Sequence, residues 1–227
     1  MTTIGKKDHV LIILAHPDDE AIRLGGTIAM CRERGIPVTY ALFTLGEMGR
    51  NMGASPFATR ESLKSIRRKE MEAVASLLGI QQLILLGYRD KTLEFELDDR
   101  LKEEVARLLH EIKPTRLLSF YPGHSVHPDH EAVAEAVAAA WKEIDIAVRP
   151  PFHGIAFSHD AVEKLGEPDI CYDVRPYLPV KIAAIKAHKT QSFPVLSSFY
   201  HRMSEEDIES RDFLGFERLW TYRQNNR

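Results

Sequence analysis

The chain has 227 residues, enough for one large α/β domain or two small ones, with a core that needs no disulfide or metal. Hydrophobic residues make up 44% of the chain and charged residues 28%, a balance that excludes an intrinsically disordered protein. The formal net charge is only −3, from 30 basic and 33 acidic residues, so no nucleic-acid partner is expected.

Membrane and secretion signals do not stand out in the sequence. No apolar run approaches the roughly 18 residues that cross a bilayer, and residues 1–8 lack the apolar stretch of a signal peptide. The two cysteines, Cys31 and Cys171, are too few for a disulfide framework. We therefore expect a cytoplasmic protein with reduced thiols and no membrane partner.

Hydrophobic periodicity predicts strands and helices that alternate along the chain. In chain order these are a strand at 10–15, a helix at 27–34, a strand at 38–44, a helix at 62–78, a strand at 83–86, a helix at 98–113, a strand at 116–121, a helix at 130–143, strands at 154–158 and 170–174, and a helix at 176–189. Such alternation is typical of βαβ units. The predicted fold class is α/β: a single Rossmann-like domain with a mostly parallel sheet and helices on both faces.

The predicted domain covers residues 1–227, with its core at residues 8–191. Residues 192–227 are polar and predicted to be an irregular tail, with Phe213, Phe216 and Trp220 as apolar anchors.

The unusual residues follow the predicted strands. The tripeptide His-Pro-Asp occurs twice, at 16–18 after the first strand and at 127–129 after the fourth. In parallel sheets, ligands bind beyond the carboxyl ends of the strands, where the strand order reverses. We therefore expect both copies to contribute to one site.

The residue types around the two motifs predict a metal. Imidazole and carboxylate are the ligands that a divalent transition metal such as Zn²⁺ prefers when thiolate is absent. His16 and Asp19 are one turn apart, and His130 can add a third ligand, which leaves a fourth position for water. Asp18 is then a spare carboxylate that can serve as the general base of a hydrolase. Alternatively, the acidic residues 18–20 only stabilise a helix N-terminus, and His16 is an ordinary core histidine.

His127 and Asp129 form a second pair. A carboxylate that holds an imidazole keeps it charged or in one tautomer, so Asp129 is expected to orient His127. An imidazole held in this way can stabilise an oxyanion or protonate a leaving group.

Several short motifs suggest a family. They are AHPDDE at 15–20, GGT at 25–27, RRKE at 67–70, RD at 89–90, HPDH at 127–130 and AHKTQ at 187–191. Together they resemble the PIG-L/LmbE-like N-acetylglucosaminide deacetylases over residues 10–191. Residues 44–61, with GYRDKT and YPGHSVHPDH, are most similar to the bacillithiol-biosynthesis branch, which removes acetyl from N-acetylglucosaminyl-malate.

The resemblance implies roles for individual residues. The implied sets are metal ligands His16, Asp19 and His130, catalytic residues Asp18, His127 and Asp129, and sugar or aglycone contacts Arg67 and Asp90. The implied metal is Zn²⁺, with Fe²⁺ as the alternative. Arg67, with Arg23 or Arg50, would favour a substrate that carries carboxylates. The resemblance also implies a homo-oligomer that acts on a small N-acetylated amino-sugar glycoside.

The sequence departs from the family pattern in places. Ile22 and Arg23 stand where many members have an aromatic and a small residue, and Ser125 stands where some relatives have a tyrosine. The glycine-rich loop (residues 46–53) is predicted to be either a mobile lid over the substrate or plain turn structure.

The sequence leaves alternatives to this deacetylase hypothesis open. One is deacetylation of another N-acetylated sugar or amide. A metal-dependent phosphoesterase is a second alternative, but two-metal sites of that kind use more bridging carboxylates, so the motifs fit it less well. A non-catalytic sugar-binding module is disfavoured by the intact Asp18, because a relative without catalytic activity is expected to lose its general base before its metal ligands.

Overall fold

The computed structural model describes residues 4–96, 99–194, 196–197 and 214–223. Its strands are β1 (Val10–Leu14), β2 (Val38–Thr44), β3 (Gln82–Tyr88), β4 (Arg116–Phe120), β5 (Phe152–Ile155), β6 (Ile170–Asp173) and β7 (Phe216–Thr221). Its α-helices are α1 (Asp19–Arg23), α2 (Gly25–Glu33), α3 (Arg60–Leu78), α4 (Arg100–Ile112), α5 (Pro128–Lys142), α6 (Ala161–Leu165) and α7 (Leu178–Ala187). Short 3₁₀ turns lie at Leu93–Phe95 and Arg175–Tyr177.

The strands form a seven-stranded sheet in the order β3-β2-β1-β4-β5-β7-β6. β1 pairs in parallel with β2 and β4, and parallel pairing continues to β3 on one side and to β5 on the other. β7 runs antiparallel to both of its neighbours, β5 and β6. The predicted α/β class with a mostly parallel sheet is therefore confirmed.

The helices form two packing groups around this sheet. α4 packs against α5, whereas α1, α2 and α3 pack against α7. The strands progress outward from β1 to β3 in one direction and from β4 to β5 in the other. Because crossovers between parallel strands are right-handed, the two groups cover opposite faces of the sheet. None of the helices among the described residues is long and apolar enough to cross a membrane.

The core is centred on the middle strands. Every residue of β1, β2 and β4 is buried, as expected of strands that helices cover on both faces. The helix predicted at 62–78 begins earlier, at Arg60, because the Thr59 side chain accepts the Ser62 N–H and caps the helix. It ends as predicted at Gly79, whose φ of 77° suits glycine.

The prediction of an irregular C-terminal tail is wrong at residues 216–221, which form β7 between β5 and β6. Two of the predicted anchors, Phe216 and Trp220, belong to this strand, whereas Phe213 lies outside the described residues. The pattern was misleading because charged Glu217 interrupts the apolar residues, which is typical of an exposed segment.

Glu217 is nevertheless only 2% exposed. Its carboxylate accepts the N–H groups of Gly26 and Thr27 at 2.8 and 2.7 Å, at the start of α2, and lies 2.7 Å from Lys181 Nζ. A helix N-terminus and a buried ammonium together compensate the buried negative charge. Long-range pairing therefore decides the conformation of this segment.

Smaller differences concern element ends. β5 occupies Phe152–Ile155 rather than 154–158, because its pairing with β4 begins at Phe152, directly after Pro151. α7 begins at Leu178 rather than 176, since Arg175–Tyr177 forms a 3₁₀ turn. The five-residue helices α1 and α6 were not predicted, because they are too short to show a helical period.

Burial of His153 on β5 predicts acid sensitivity. Burial and the nearby Arg116 guanidinium lower the pKa of His153 from 6.5 to about 4. Between pH 6.5 and pH 4, His153 is therefore protonated in the unfolded chain but neutral in the folded chain. This contribution to stability is complete above pH 6.5 and is lost as the pH falls toward 4, by about 3 kcal/mol in total.

Between pH 7 and pH 4.5, we expect the free energy of unfolding to fall by about 2–3 kcal/mol more in the wild type than in His153→Gln. Urea unfolding at the two pH values measures this difference. Exposed His159→Gln is the control and is expected to follow the wild type. Equal losses in wild type and His153→Gln would contradict the prediction.

Candidate metal centre and active site

The two His-Pro-Asp motifs meet at the carboxyl ends of β1 and β4. These strands are parallel neighbours at the centre of the sheet, and the strand order reverses between them. His16 lies two residues after the end of β1, whereas His130 lies in the first turn of α5, which follows β4. This is the topological switch point at which α/β sheets bind ligands.

Three potential metal-ligand atoms converge here. His16 Nδ1 lies 3.0 Å from His130 Nε2 and 3.7 Å from Asp19 Oδ2, and His130 Nε2 lies 3.3 Å from Asp19 Oδ2. Ligand atoms about 2.0–2.1 Å from a tetrahedral Zn²⁺ ion lie about 3.3 Å apart. The side chains are 11–12% exposed, so one face remains accessible. The three residues therefore fit a divalent ion with an open coordination position.

Two buried carboxylates support His16 from behind. His16 Nε2 lies 3.0 Å from Asp129 Oδ2 and 3.2 Å from Asp90 Oδ1. The Asp129 carboxylate also accepts the N–H groups of Lys91 and Leu93, at 2.7 and 3.2 Å. A proton held on Nε2 by these carboxylates leaves the Nδ1 lone pair free for a metal.

The charges in this cluster shift several pKa values. Burial lowers the pKa of His16, but hydrogen bonds to Asp129 and Asp90 and the nearby Asp19 outweigh it and raise the value to about 10. Burial raises the pKa of Asp90, but the hydrogen bond to His16 outweighs it and lowers the value to about 2. The cluster therefore attracts positive charge, which a proton or a metal cation can provide.

His127 lies beside the ligand cluster, with its ring centroid 4.9 Å from that of His16 and 5.0 Å from that of His130. Its Nδ1 accepts the backbone N–H of Asp129 at 3.1 Å, so the neutral ring carries its proton on Nε2. Burial and the two neighbouring histidines lower its pKa, which favours that neutral form. His127 is therefore suited to donate a hydrogen bond rather than to bind a metal.

The predicted link between Asp129 and His127 differs in detail from the one observed. The backbone of Asp129 contacts His127, whereas its carboxylate binds His16. The physical reason is the helix geometry: His127 is the N-cap of α5, so it accepts a first-turn N–H.

Other ligand sets are available in the same cluster. The ligand atoms of His16, His127 and His130 lie within 4.8 Å of one another, as do those of His16, Asp90 and Asp129. The first set would require the His127 Nε2 lone pair, and the second would break the hydrogen bonds that orient His16. The His16, Asp19 and His130 set needs neither change.

Asp18 adopts an unusual backbone conformation next to Asp19, with φ 101° and ψ −28°. Its Oδ2 lies 3.4 Å from Arg67 Nη2, and its backbone N–H donates to Glu20 Oε2 at 3.1 Å. Burial raises the pKa of Asp18 to about 6, against the opposing effect of Arg67. A carboxylate with a pKa near the working pH is an efficient general base.

Comparison with known proteins identifies the family. Residues 11–141 match the PIG-L family, described as GlcNAc-PI de-N-acetylase. The chain belongs to the PIG-L family. It is 42% identical over 214 residues to a Bacillus anthracis protein named "Probable N-acetyl-alpha-D-glucosaminyl L-malate deacetylase 2", covering 94% of this chain and 95% of that protein. A Bacillus subtilis (strain 168) protein of the same name is 41% identical over 220 residues, covering 97% and 100% of the two chains.

A solved structure shares the fold of this PIG-L protein. It is N,N'-diacetylchitobiose deacetylase from Pyrococcus horikoshii, with a TM-score of 0.73 and 21% identity, covering 96% of this chain and 85% of that one. The family match and the named relatives make this PIG-L protein an amide-hydrolysing N-deacetylase.

The three residues predicted to contact the substrate, Arg67, Asp90 and Arg50, differ in how deeply their side chains are buried. Arg67 and Asp90 are each 3% exposed, and both Asp90 oxygens and the two terminal nitrogens of Arg67 contact protein groups. Arg67 donates to Gly46 O at 2.8 Å and also to Pro17 O. Arg50 is exposed on the glycine-rich loop. The structure therefore places Arg67 and Asp90 behind the metal ligands and base, and Arg50 on the surface.

Gly46 explains how Arg67 reaches this position. The glycine has φ 61°, and a Cβ atom built on it would lie 1.8 Å from Arg67 Nη1. Only glycine combines this backbone conformation with such close approach of the guanidinium. The loop glycine thus serves packing beneath the site.

Several site neighbours were missed from the sequence. Phe120, at the end of β4, stacks on the His130 ring with centroids 4.1 Å apart and planes 10° apart. His188 and Glu20 form a buried pair, with Nε2 and Oε1 2.7 Å apart. Burial lowers the pKa of His188, but Glu20 outweighs it and raises the value. The only signal for His188 was its place in the AHKTQ segment, which carried no predicted role.

The hydrogen bond between Asp129 and His16 predicts an effect of Asp129 on metal affinity. Asp129→Asn is expected to weaken metal affinity about 10- to 100-fold, because the amide holds the His16 Nε2 proton less strongly. Competition with a fluorescent chelator measures the dissociation constant. Asp145→Asn, on an exposed turn, is the control. Unchanged affinity in Asp129→Asn would remove Asp129 from this supporting role.

Proposed function

We propose that this PIG-L protein is a Zn²⁺-dependent hydrolase that removes the acetyl group from N-acetylglucosaminyl-malate, with Fe²⁺ as the alternative ion. The observation that carries the proposal is the convergence of His16, Asp19 and His130 ligand atoms within 3.7 Å, next to Asp18 in the chain. The substrate is supported by the names of the two Bacillus relatives, each matched over more than nine-tenths of this chain.

His16, Asp19 and His130 would hold the ion. When bound, Zn²⁺ supplies Lewis acidity that polarises an amide carbonyl and acidifies water. Phe120 packs flat against His130 and limits the rotation of that ring. Asp129 and Asp90 hold His16 with its Nδ1 atom toward the other two ligands.

Asp18 and His127 would carry the proton transfers. Asp18 takes a proton from the attacking water, and the His127 Nε2–H donates a hydrogen bond to the carbonyl oxygen as negative charge develops there. Asp18 then passes this proton to the leaving amine, because neutral His127 has only its weakly acidic Nε2 proton, which stays in the hydrogen bond to the oxyanion. Acetate and a free glucosamine amine are the products.

Acetate release by the Zn²⁺-loaded protein tests the function. The panel contains N-acetylglucosaminyl-malate, free N-acetylglucosamine and a neutral aryl N-acetylglucosaminide, each with an Asp18→Asn control. We expect the fastest turnover on the malate glycoside and loss of turnover in the control. Acetate release from none of the three, with metal bound, would overturn this substrate class. Parallel runs loaded with Fe²⁺ compare the two ions.

Arg50 is proposed to contact the malate carboxylates, since it is exposed on the glycine-rich loop. Arg50→Ala is expected to raise KM about 10-fold for the malate glycoside and to leave KM for the neutral glycoside unchanged. Exposed Arg68→Ala, on α3, is the matched control. Equal KM values for wild type and Arg50→Ala on the malate glycoside would contradict this contact.

Arg67 is expected to behave differently, because its guanidinium binds Pro17 O, Gly46 O and the Asp18 carboxylate. Its removal should slow both glycosides by a similar factor. A selective loss on the malate glycoside would instead support the direct contact implied by the family resemblance.

A further inference from the structure

His188 belongs to a segment that no catalytic step uses. The segment begins at the last residue of α7 and has the sequence AHKTQ at residues 187–191. It is held in place independently of the metal ligands, because the backbone N–H and Oγ1 of Thr190 donate to Glu70 of α3 at 2.9 and 2.8 Å. Thr190 O also accepts the Gly53 N–H at 3.1 Å. His188 is therefore presented to the site from an anchored backbone.

The partner of His188 is Glu20, in the first turn of α1. His188 Nε2 lies 2.7 Å from Glu20 Oε1, and both side chains are at most 1% exposed. The other carboxylate oxygen, Oε2, accepts the Tyr40 hydroxyl and the Asp18 backbone N–H, each at 3.1 Å. Both oxygens of Glu20 thus have protein partners, and the buried carboxylate is out of reach of a substrate.

The bond from Glu20 to Asp18 acts on a strained residue. Asp18 has φ 101°, in a region that side-chain-bearing residues adopt rarely. Such conformations persist only where surrounding contacts impose them. The Asp18 N–H donates to Glu20 Oε2, which also accepts the Tyr40 hydroxyl, while His188 holds the other oxygen, Oε1. The direction of the Asp18 side chain therefore depends on Glu20 staying in place.

We propose that His188 is a positioning residue for Asp18, acting through Glu20. The proposal rests on the proposed function, in which Asp18 is the general base. Without the His188 donor, Glu20 is free to turn away from the Asp18 N–H, and Asp18 relaxes from the conformation that aims its carboxylate at the attacking water. Asp19 and the two histidine ligands keep their own contacts.

The test measures kcat, KM and metal content on N-acetylglucosaminyl-malate. We expect His188→Ala to lower kcat about 10-fold or more, with KM and bound metal per folded chain within about twofold of wild type. His188→Gln retains an N–H donor and is expected to recover part of the loss. Lys189→Ala, at the exposed neighbouring position, is the control. A His188→Ala enzyme with wild-type kcat per bound metal would overturn the proposal.

A double-mutant cycle separates positioning from a general structural effect. If His188 acts through Asp18, adding His188→Ala to Asp18→Asn should change the residual rate by less than about twofold. Loss by the same factor in both backgrounds would overturn the proposal, because a destabilised fold affects both equally. Full activity in Asp18→Asn alone would instead remove Asp18 from the role of general base that the proposed function gives it. Inactive Asp18→Asn with fully active His188→Ala would reject only the role of His188.

Discussion

Asp18→Asn is expected to lower kcat about 10²- to 10⁴-fold on the acetylated substrate and to leave metal binding intact. Asparagine has the size of aspartate but cannot accept a proton at neutral pH. The three ligand atoms on His16, Asp19 and His130 are unchanged by the substitution. Acetate release, measured together with metal content per chain, checks both parts of the expectation.

Asp173→Asn is a suitable control for this substitution. Asp173 lies at the end of β6, at one edge of the sheet, and pairs with Arg175 on the surface. We expect it to keep wild-type kcat and metal content. An Asp18→Asn enzyme with the activity of this control would remove Asp18 from the role of general base, whereas loss of metal would indicate that Asp18 contributes to ion binding.

His130→Ala is expected to weaken metal affinity by more than about 100-fold, since loss of a direct ligand exceeds the effect of losing a supporting residue. Turnover at stoichiometric metal should disappear with it. Elemental analysis after passage over a chelating resin measures the bound ion. His110→Ala on α4 is the control, because that histidine is exposed.

Loss of the His130 ring also removes its stacking on Phe120, so folding requires a separate check. Circular dichroism reports the folded fraction. On the wild-type protein, a chelator should abolish turnover and added Zn²⁺ should restore it, which tests the metal without any substitution. Stoichiometric metal in folded His130→Ala would exclude His130 as a ligand and favour the set formed by His16, Asp90 and Asp129.

The sequence was sufficient to predict the central fold and that His16, Asp19 and His130 would lie close together. The strand predicted at 38–44 is observed with the same bounds, and the unbroken apolar run of β1 is buried along its whole length. A short apolar run between turn signals carries its own conformational preference. Ligands of parallel sheets bind beyond the carboxyl ends of the strands, so the histidines that follow β1 and β4 could be predicted to share one site.

Contacts between distant segments were beyond such reasoning. Asp129 was expected to hold His127 with its carboxylate, but that group binds His16, 113 residues away in the chain. The sequence also did not predict that Arg67 would be only 3% exposed, with its guanidinium 3.4 Å from the Asp18 carboxylate. Charged side chains at helical spacing look alike in sequence, whether they end in solvent or against a buried carbonyl.

The division between the two sources of information is physical. Periodicity, turn residues and ligand chemistry are local properties, so the sequence alone indicated an α/β fold, a metal site and a family. The antiparallel strand β7, the His188–Glu20 pair and the strained Asp18 depend on which buried polar atoms meet after packing. A buried polar group must find a partner, and the tertiary structure decided which one because the available partners lie up to 191 residues away.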